Sequence, residues 1–328
     1  AERATQPGYV SLSFPTIAGF NANGALPHYR ATPEAYAVLS TPAGLTAEGL
    51  LLIDSGAQYL GGTTDITRVW AIGTPTAAQK RDYTLVLKGT LGLSRMRFPQ
   101  GTLAPMLDAV ARAPLWAEGL DFGHGTGHGV GYFLNVHEGP QSISKAVPVP
   151  DMAMLPGMIT SIEAGLYRPG QWGIRIENLV LNVPVTPAVP NAEPGTPEYG
   201  RYLAFETLSL CPIDTRCIDH SLLRDDEVQW LNDYHAEVRR RLSPLVSGDA
   251  LVWLQRRTEP PRSPAALVHL TDRPKDGVSL DCGQNRISPG HHEHFAFQRP
   301  AGSRPSATRC PAPAAGVCRR RSARRRHA

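Results

Sequence analysis

Three histidines, His124, His128 and His137, stand among five glycines in the stretch GHGTGHGVGYFLNVH, residues 123–137. Glycine permits close backbone approach, and imidazole ligates metals and moves protons near neutral pH, so this composition suits a site better than a helix interior. A lone histidine is more often a satisfied core or surface residue. The stretch therefore gains meaning only if carboxylates converge on it. Four candidates are Asp54, Asp65, Glu163 and Glu177, each placed in or beside a short apolar run. With His128 they make an oxygen-rich set with one nitrogen donor, suited to two hard or borderline divalent cations and poor for a structural zinc. Four carboxylates cannot share a folded core uncompensated, so the cations are electrostatically required. The chemistry implied is metal-assisted hydrolysis, with two ions about 3.5–4 Å apart holding a hydroxide and polarising a substrate carbonyl.

The elements that must position these groups can be read from periodicity. Leu50 to Ile53 form a fully apolar run that delivers Asp54 at its end, and a buried carboxylate is costly unless paired or bound to a cation. Asp65 opens DITRVWAIG, whose β-branched and aromatic content predicts a second strand after the GGTT turn at residues 61–64. Two such strands pair antiparallel and bring Asp54 and Asp65 within reach of one ion. From this pair alone, two surface aspartates flanking a turn are an equally good reading. MITSIEAG (residues 158–165) and GIRIENLVLNV (173–183) predict another strand pair, carrying Glu163 and Glu177. Strand alternation puts Arg175 on the face of Glu177, where it either closes a structural ion pair or orients a ligand from behind. The two carboxylate-bearing hairpins point to an internal two-fold. Tyr9 to Phe14 and Tyr202 to Leu210 are further strand candidates.

Helices are expected at residues 76–94, from the Thr76/Gln79 capping-box spacing, and at 102–114, with Leu103, Met106, Leu107 and Val110 on one face. Both read as packing elements without chemistry of their own. A third, over Asp225 to Leu242, has acids in its first turn and arginines in its last, as the helix dipole favours. His28, in the loop NANGALPHYR, reads by itself as an ordinary loop histidine.

The chain has 328 residues, enough for a large core, and 41% hydrophobic with 19% charged residues is ordinary for a globular protein. No run of about 18 apolar residues predicts a membrane span. The start, AERATQPGYVSLSF, lacks the pattern of a signal peptide and an initiator Met, which reads as a fragment or processed form. The net charge of +4 conceals an asymmetry: residues 257–328 hold 14 Lys and Arg against 5 Asp and Glu, while residues 1–256 hold 19 against 24. The expected organisation is a catalytic domain over 1–256 and a basic, Pro/Arg-rich, disordered tail over 257–328, with the character of an unselected extension. No recognition fold accompanies its arginine clusters, so neither nucleic acid nor membrane is an expected partner. Only Cys211 and Cys217 lie in the main body, which is no disulfide framework and fits a reducing compartment.

The order of D-x10-D, HGTGH, VHEGP, SIEAG and IRIEN resembles the pita-bread metallopeptidases, the group of methionine aminopeptidase, prolidase, creatinase and aminopeptidase P. Within it, SFPTIAGFNANGALPHYR and GHGTGHGVGYFLNVHEGP are most similar to the cytosolic, three-domain type of Xaa-Pro aminopeptidase, over about Tyr9 to Leu254. The resemblance implies an α+β fold with a curved, mostly antiparallel sheet in two pseudo-symmetric halves and helices outside. It implies that Asp54 binds one metal, His128 and Glu163 the other, and that Asp65 and Glu177 bridge both. Glu163 would also be the general base, His28 and His137 would contact substrate and the tetrahedral intermediate, and His124 would help position substrate. Manganese is the metal favoured, with zinc or cobalt compatible.

The implied reaction releases an N-terminal residue that precedes proline, in the cytoplasm. Family members of this type carry two further domains ahead of the catalytic one. This sequence shows neither, which puts substrate selection and homodimer formation in question. Competing readings are a prolidase-like dipeptidase, a non-catalytic pita-bread binding protein, and a truncated, inactive product.

Overall fold

Antiparallel strand pairs carry the candidate residues, and everything else is packed to hold those pairs together. The computed structural model describes residues 2–41, 44–45, 47–185 and 200–260; from residue 261 onward the basic tail, with Cys282, Cys310 and Cys318, lies outside the described residues. In chain order, β1 (Tyr9–Leu12) and β2 (Ile17–Phe20) precede a minimal hairpin of β3 (Ser40–Thr41) and β4 (Gly44–Leu45). Then come β5 (Gly49–Ser55), β6 (Ala57–Tyr59), β7 (Gly62–Thr63) and β8 (Ile66–Ile72), followed by α1 (Ala77–Ser94), β9 (Arg97–Pro99) and α2 (Asp108–Trp116). After β10 (Gly127–His128) and β11 (Ser142–Ile143), a long hairpin of β12 (Ile159–Arg168) and β13 (Trp172–Val185) leads to β14 (Tyr202–Thr207), α3 (Asp225–Leu242) and α4 (Gly248–Arg257).

The first half is the sheet β2-β5-β8, antiparallel throughout. Asp54 pairs with Thr67 and Ser55 with Ile66, and strand alternation therefore puts Asp54, Thr67 and Asp65 on one face. The connection between Asp54 and Asp65 is more than the expected turn. It contains β6, which pairs with β1 on one side and β7 on the other, so the opening strand braces this connection and does not join the main sheet.

The second half is the sheet β12-β13-β14-β9. Glu163 stands directly across from Glu177, and Gly165 across from Arg175. The absent side chain matters here, since a Cβ at Gly165 would lie 2.8 Å from His124 Nε2. The two halves are joined through Arg68 of β8. Its guanidinium donates to Asn178 Oδ1 at 2.7 Å, to Tyr234 Oη of α3 at 2.8 Å and to the Cys211 carbonyl at 2.9 Å.

Helix α1 has the expected capping box: Gln79 N donates to Thr76 Oγ1 at 3.2 Å and Thr76 N to Gln79 Oε1 at 2.9 Å. Its buried Val86, Leu87 and Leu91 belong to the main core, and Thr90 Oγ1 donates to the Ile176 carbonyl of β13. Helix α3 spans the residues expected and buries Val228, Leu231 and Val238.

Helix α2 departs from expectation. A 3-10 turn over Ala104–Leu107 precedes it, Pro114 sits inside it, and Met106 is 64% exposed. The tighter turn rotates the face, so Ala104, Leu107, Ala111 and Leu115 are buried and Met106 is not. Cys211 and Cys217 are free thiols. No helix among the described residues is long and apolar enough to cross a membrane.

Candidate active site

The glycine-histidine stretch reaches the carboxylates because its backbone crosses β12 almost in contact. A Cβ at Gly127 would stand 1.9 Å from the Ser161 carbonyl oxygen, so no larger residue fits. The crossing is fixed by Glu163 N donating to the Thr126 carbonyl at 2.7 Å and His128 N donating to Ser161 Oγ at 3.0 Å. The His28 loop is held by an equally tight approach at the other side. A Cβ at Gly173 would lie 1.8 Å from the Gly24 carbonyl, which lets the 3-10 turn Asn21–Ala25 sit against β13.

All five expected ligand residues converge. One oxygen each from Asp54, Asp65 and Glu177 lie within 4.8 Å of one another, as do ligand atoms of His128, Glu163 and Glu177. Glu177 belongs to both groups. His128 Nε2 is 3.6 Å from Asp65 Oδ2 and 3.5 Å from Glu163 Oε1. The other ring nitrogen, Nδ1, lies 2.9 Å from the Gly129 carbonyl. That bond places the proton on Nδ1 and leaves the Nε2 lone pair facing the carboxylates, the arrangement of a metal-ligating imidazole. These residues line one pocket of about 450 Å³ together with His28, Arg30, His124, His137 and Arg175.

The electrostatics of the bare cluster do not balance. Arg175 donates to Asp54 Oδ2 at 2.7 Å and stands 3.9 Å from Glu163 Oε2. Burial opposes its charge, but Tyr167, Asp54 and Glu163 more than compensate and keep it protonated. One arginine cannot neutralise four acids. Burial pushes the Glu177 carboxyl well above the usual range, with Asp65, Glu163 and Asp54 adding to the rise. Burial likewise lifts Glu163 to about 7 against the pull of His128 and Arg175. Asp54 is raised by burial, partly offset by Arg175. Burial alone would lower His128, yet the Asp65 and Glu163 carboxylates near its Nε2 raise it.

Asp54 Oδ1 is buried with no hydrogen-bond partner among the described residues. An orphaned carboxylate oxygen costs free energy unless something binds it. Its position in an all-oxygen corner with Asp65 and Glu177 fits a hard divalent cation.

The remaining histidines divide. His124 Nδ1 lies 2.7 Å from the Gly125 carbonyl and its Nε2 accepts from Tyr167 Oη at 2.8 Å, while Tyr167 Oη accepts from Arg175 Nη1 at 2.7 Å. Both ring nitrogens of His124 are thus committed to the protein, and burial lowers its pKa to about 4, so the ring is neutral. His137 is exposed, packs edge-on against His128 with centroids 4.3 Å apart, and brings a nitrogen within 4.8 Å of Asp65 and His128 ligand atoms. It stands nearer the acidic cluster than a purely substrate-facing histidine needs to. His28 is exposed at the pocket wall.

Sequence reasoning missed several members. Thr67 Oγ1 donates to Glu177 Oε2 at 2.8 Å and accepts from Arg175 Nε at 3.1 Å. Its two-residue offset from Asp65 on a strand was the available signal. Tyr167, four residues from Glu163 on the same strand face, carried the same signal. Arg112 of α2 is 1% exposed and donates to Asp108 Oδ2 at 2.6 Å and to the Phe122 and His124 carbonyls at 2.7 Å each. Asp108 in turn accepts from Thr126 Oγ1 at 2.6 Å. A helix read as packing alone therefore anchors the loop that carries His124 and His128.

The profile of metallopeptidase family M24 matches residues 1–183, and that of the C-terminal region of peptidase M24 matches residues 201–261. The chain belongs to metallopeptidase family M24. Among M24 relatives, a probable Xaa-Pro aminopeptidase P of Coprinopsis cinerea is 46% identical over 256 residues, which is 77% of this chain and 39% of that protein. Aminopeptidase P2 of Arabidopsis thaliana is 46% identical over 267 residues, 80% of this chain and 35% of the relative. The M24 chain thus spans about two-fifths of the length of the curated relatives it matches. The crystal structure of an X-prolyl aminopeptidase from Caenorhabditis elegans, described as a cytosolic enzyme with a di-nuclear active site, superposes with a TM-score of 0.68 at 39% identity. It covers 79% of this chain and 40% of that one. The pita-bread architecture expected for an M24 member is the one present, with curled antiparallel sheets and helices packed on them.

Proposed function

We propose that this chain is the catalytic domain of a metal-dependent aminopeptidase that hydrolyses the bond between an N-terminal residue and a following proline. The observation that carries this reading is the convergence of Asp54, Asp65, His128, Glu163 and Glu177 in one pocket, with the orphaned Asp54 Oδ1 pointing to a cation. The names of the relatives support the substrate class, and the di-nuclear site of the nematode enzyme supports two ions. Asp54 would hold one ion, His128 and Glu163 the other, and Asp65 and Glu177 both. An oxygen-rich set with a single imidazole accepts Mn²⁺, Zn²⁺ or Co²⁺, and the family resemblance favours Mn²⁺. When bound, the two cations supply Lewis acidity to the scissile carbonyl and acidify a water.

The chain's own groups do the rest. Glu163, at the edge of the cluster beside His128, takes the proton of the attacking water and passes it to the departing proline nitrogen. Arg175 and Thr67 fix Asp54 and Glu177 in place. His28 and His137, both exposed on the pocket wall, donate to the oxygen on which charge develops. His124, with no free nitrogen, acts through Tyr167 as a rigid wall. Proline's tertiary amide and fixed φ keep it out of most peptidase sites, so a dedicated pocket is physically reasonable. A cytoplasmic location accords with the cytosolic nematode relative.

The test is turnover. With Mn²⁺, the purified chain should release Arg from Arg-Pro-Pro, and Glu163→Ala should abolish release. Cleavage of Arg-Pro-Pro in preference to Arg-Pro separates the aminopeptidase from a dipeptidase. Full metal occupancy without turnover contradicts the proposal.

A further inference from the structure

We infer that Arg30 is a specificity-determining residue that receives the terminal carboxylate of a short peptide bound in this pocket, an assignment that rests on the peptidase reading above. Arg30 follows His28 by two residues on the same loop, and both line the pocket whose floor holds the carboxylates. The loop is fixed by the buried Tyr29, whose hydroxyl donates to the Ala35 carbonyl at 2.8 Å and accepts from Asn23 Nδ2 at 3.0 Å. Arg30 itself is exposed. Its hydrogen bonds run from Nη1 to the carbonyl oxygens of Thr16 at 3.5 Å and Tyr29 at 3.3 Å, both long. Among the described residues no carboxylate pairs with it, and neither Nε nor Nη2 has a partner.

Among the described residues Arg201 and Arg256 are also exposed without an acid partner, but of these three only Arg30 lines the pocket. The exposed Arg81, Arg224 and Arg240 each pair with an acid, and the other pocket arginine, Arg175, is committed to Asp54, Thr67 and Tyr167. With two divalent ions balancing the four carboxylates of the floor, the uncommitted guanidinium of Arg30 leaves a positive charge at the pocket wall. A short peptide that enters amino end first, with its first peptide bond at the floor, turns its free carboxylate toward Arg30. The planar donor fork suits a carboxylate at two points, which an ammonium in its place could not reproduce. Amidation or chain extension removes the carboxylate and with it this contact. The site is therefore built for short peptides with a free carboxyl end.

The experiment compares Arg-Pro-Pro with Arg-Pro-Pro-amide on the Mn²⁺-loaded chain. In parallel, it measures the affinity of the same pair with the scissile amide replaced by a methyleneamine, which cannot be hydrolysed. The free acid is expected to bind roughly fivefold tighter than the amide, the scale of a partly exposed charge-assisted pair. The preference should vanish in Arg30→Ala, survive in part in Arg30→Lys and reverse in Arg30→Glu. Equal affinity of acid and amide for the native chain, or a preference that persists in Arg30→Ala, overturns the assignment. If the unhydrolysable pair shows the Arg30-dependent preference while Arg-Pro-Pro is not cleaved, the aminopeptidase reading fails and the carboxylate site stands.

Discussion

Tyr167 ties the wall of the pocket to its floor with a single hydroxyl, accepting from Arg175 and donating to His124. Tyr167→Phe leaves both partners unsatisfied in a buried place, so a loss of about 1–3 kcal/mol in unfolding free energy is expected from denaturant titration. Metal stoichiometry should not change, because Tyr167 touches no expected ligand, whereas kcat for Arg-Pro-Pro should fall as Arg175 and His124 lose their register. Among the candidate ligands, Asp54, Glu163 and Glu177 stood out because each ends or interrupts an apolar run, where an unpaired charge is costly, and His128 because of its glycine-rich setting. Asp65, opening a strand after a turn, read equally well as a surface residue. Tyr167 and Thr67 were not legible, since a tyrosine or threonine on a strand face has an adequate explanation in packing alone. His124 was legible as a site residue but its role was not. Both of its nitrogens are spent on the protein, on the Gly125 carbonyl and the Tyr167 hydroxyl, a commitment that depends on the fold.

At the level of elements, capping and packing separate cleanly from site geometry. Thr76→Ala removes one half of the α1 capping box and should cost about 1 kcal/mol, with metal binding and turnover intact. Arg112→Ala is expected to be far worse, about 3–5 kcal/mol, because it strands the buried Asp108 carboxylate. It should also impair metal affinity, since the Phe122 and His124 carbonyls lose their donor and the loop bearing His128 loosens. Comparing melting curves and metal affinities of the two variants checks this contrast. The two long hairpins and the helices α1 and α3 followed from periodicity and caps, down to the Thr76–Gln79 pair, whereas α2 begins only at Asp108 and β14 stops at Thr207. The face of α2 did not follow, because a 3-10 turn and an internal proline shift the phase that 3.6-residue counting assumes. The Asp108–Arg112 spacing of four was the overlooked sign of a second duty for that helix.

For the whole molecule, pH and cation binding are linked through the same carboxylates. In the metal-free chain Glu163 is raised to about 7, Glu177 and Asp54 are raised as well, and His128 is raised above its usual value. The folded state then holds protons that the unfolded chain has already released, so stability falls as pH rises through 7. His124 and His235, both lowered to about 4 by burial, act the other way, but only below about pH 6.5, where the unfolded chain takes up protons first. Above that pH the carboxylates and His128 dominate. The melting temperature of metal-free protein should therefore drop between about pH 6.5 and 8, and saturating Mn²⁺ should flatten or reverse the slope by replacing the lost protons. A metal-free chain whose stability is level over that range would show that the four acids do not share one site.

The most direct test of the central claim is the number of ions bound. Titration of the metal-free chain with Mn²⁺, read by calorimetry and by elemental analysis after dialysis, should give two equivalents per chain. Asp54→Ala should retain one, because the His128 and Glu163 side of the cluster remains, and Glu177→Ala should weaken both. Fewer than two equivalents in the native chain, or an Asp54→Ala variant that still binds two, would contradict the account.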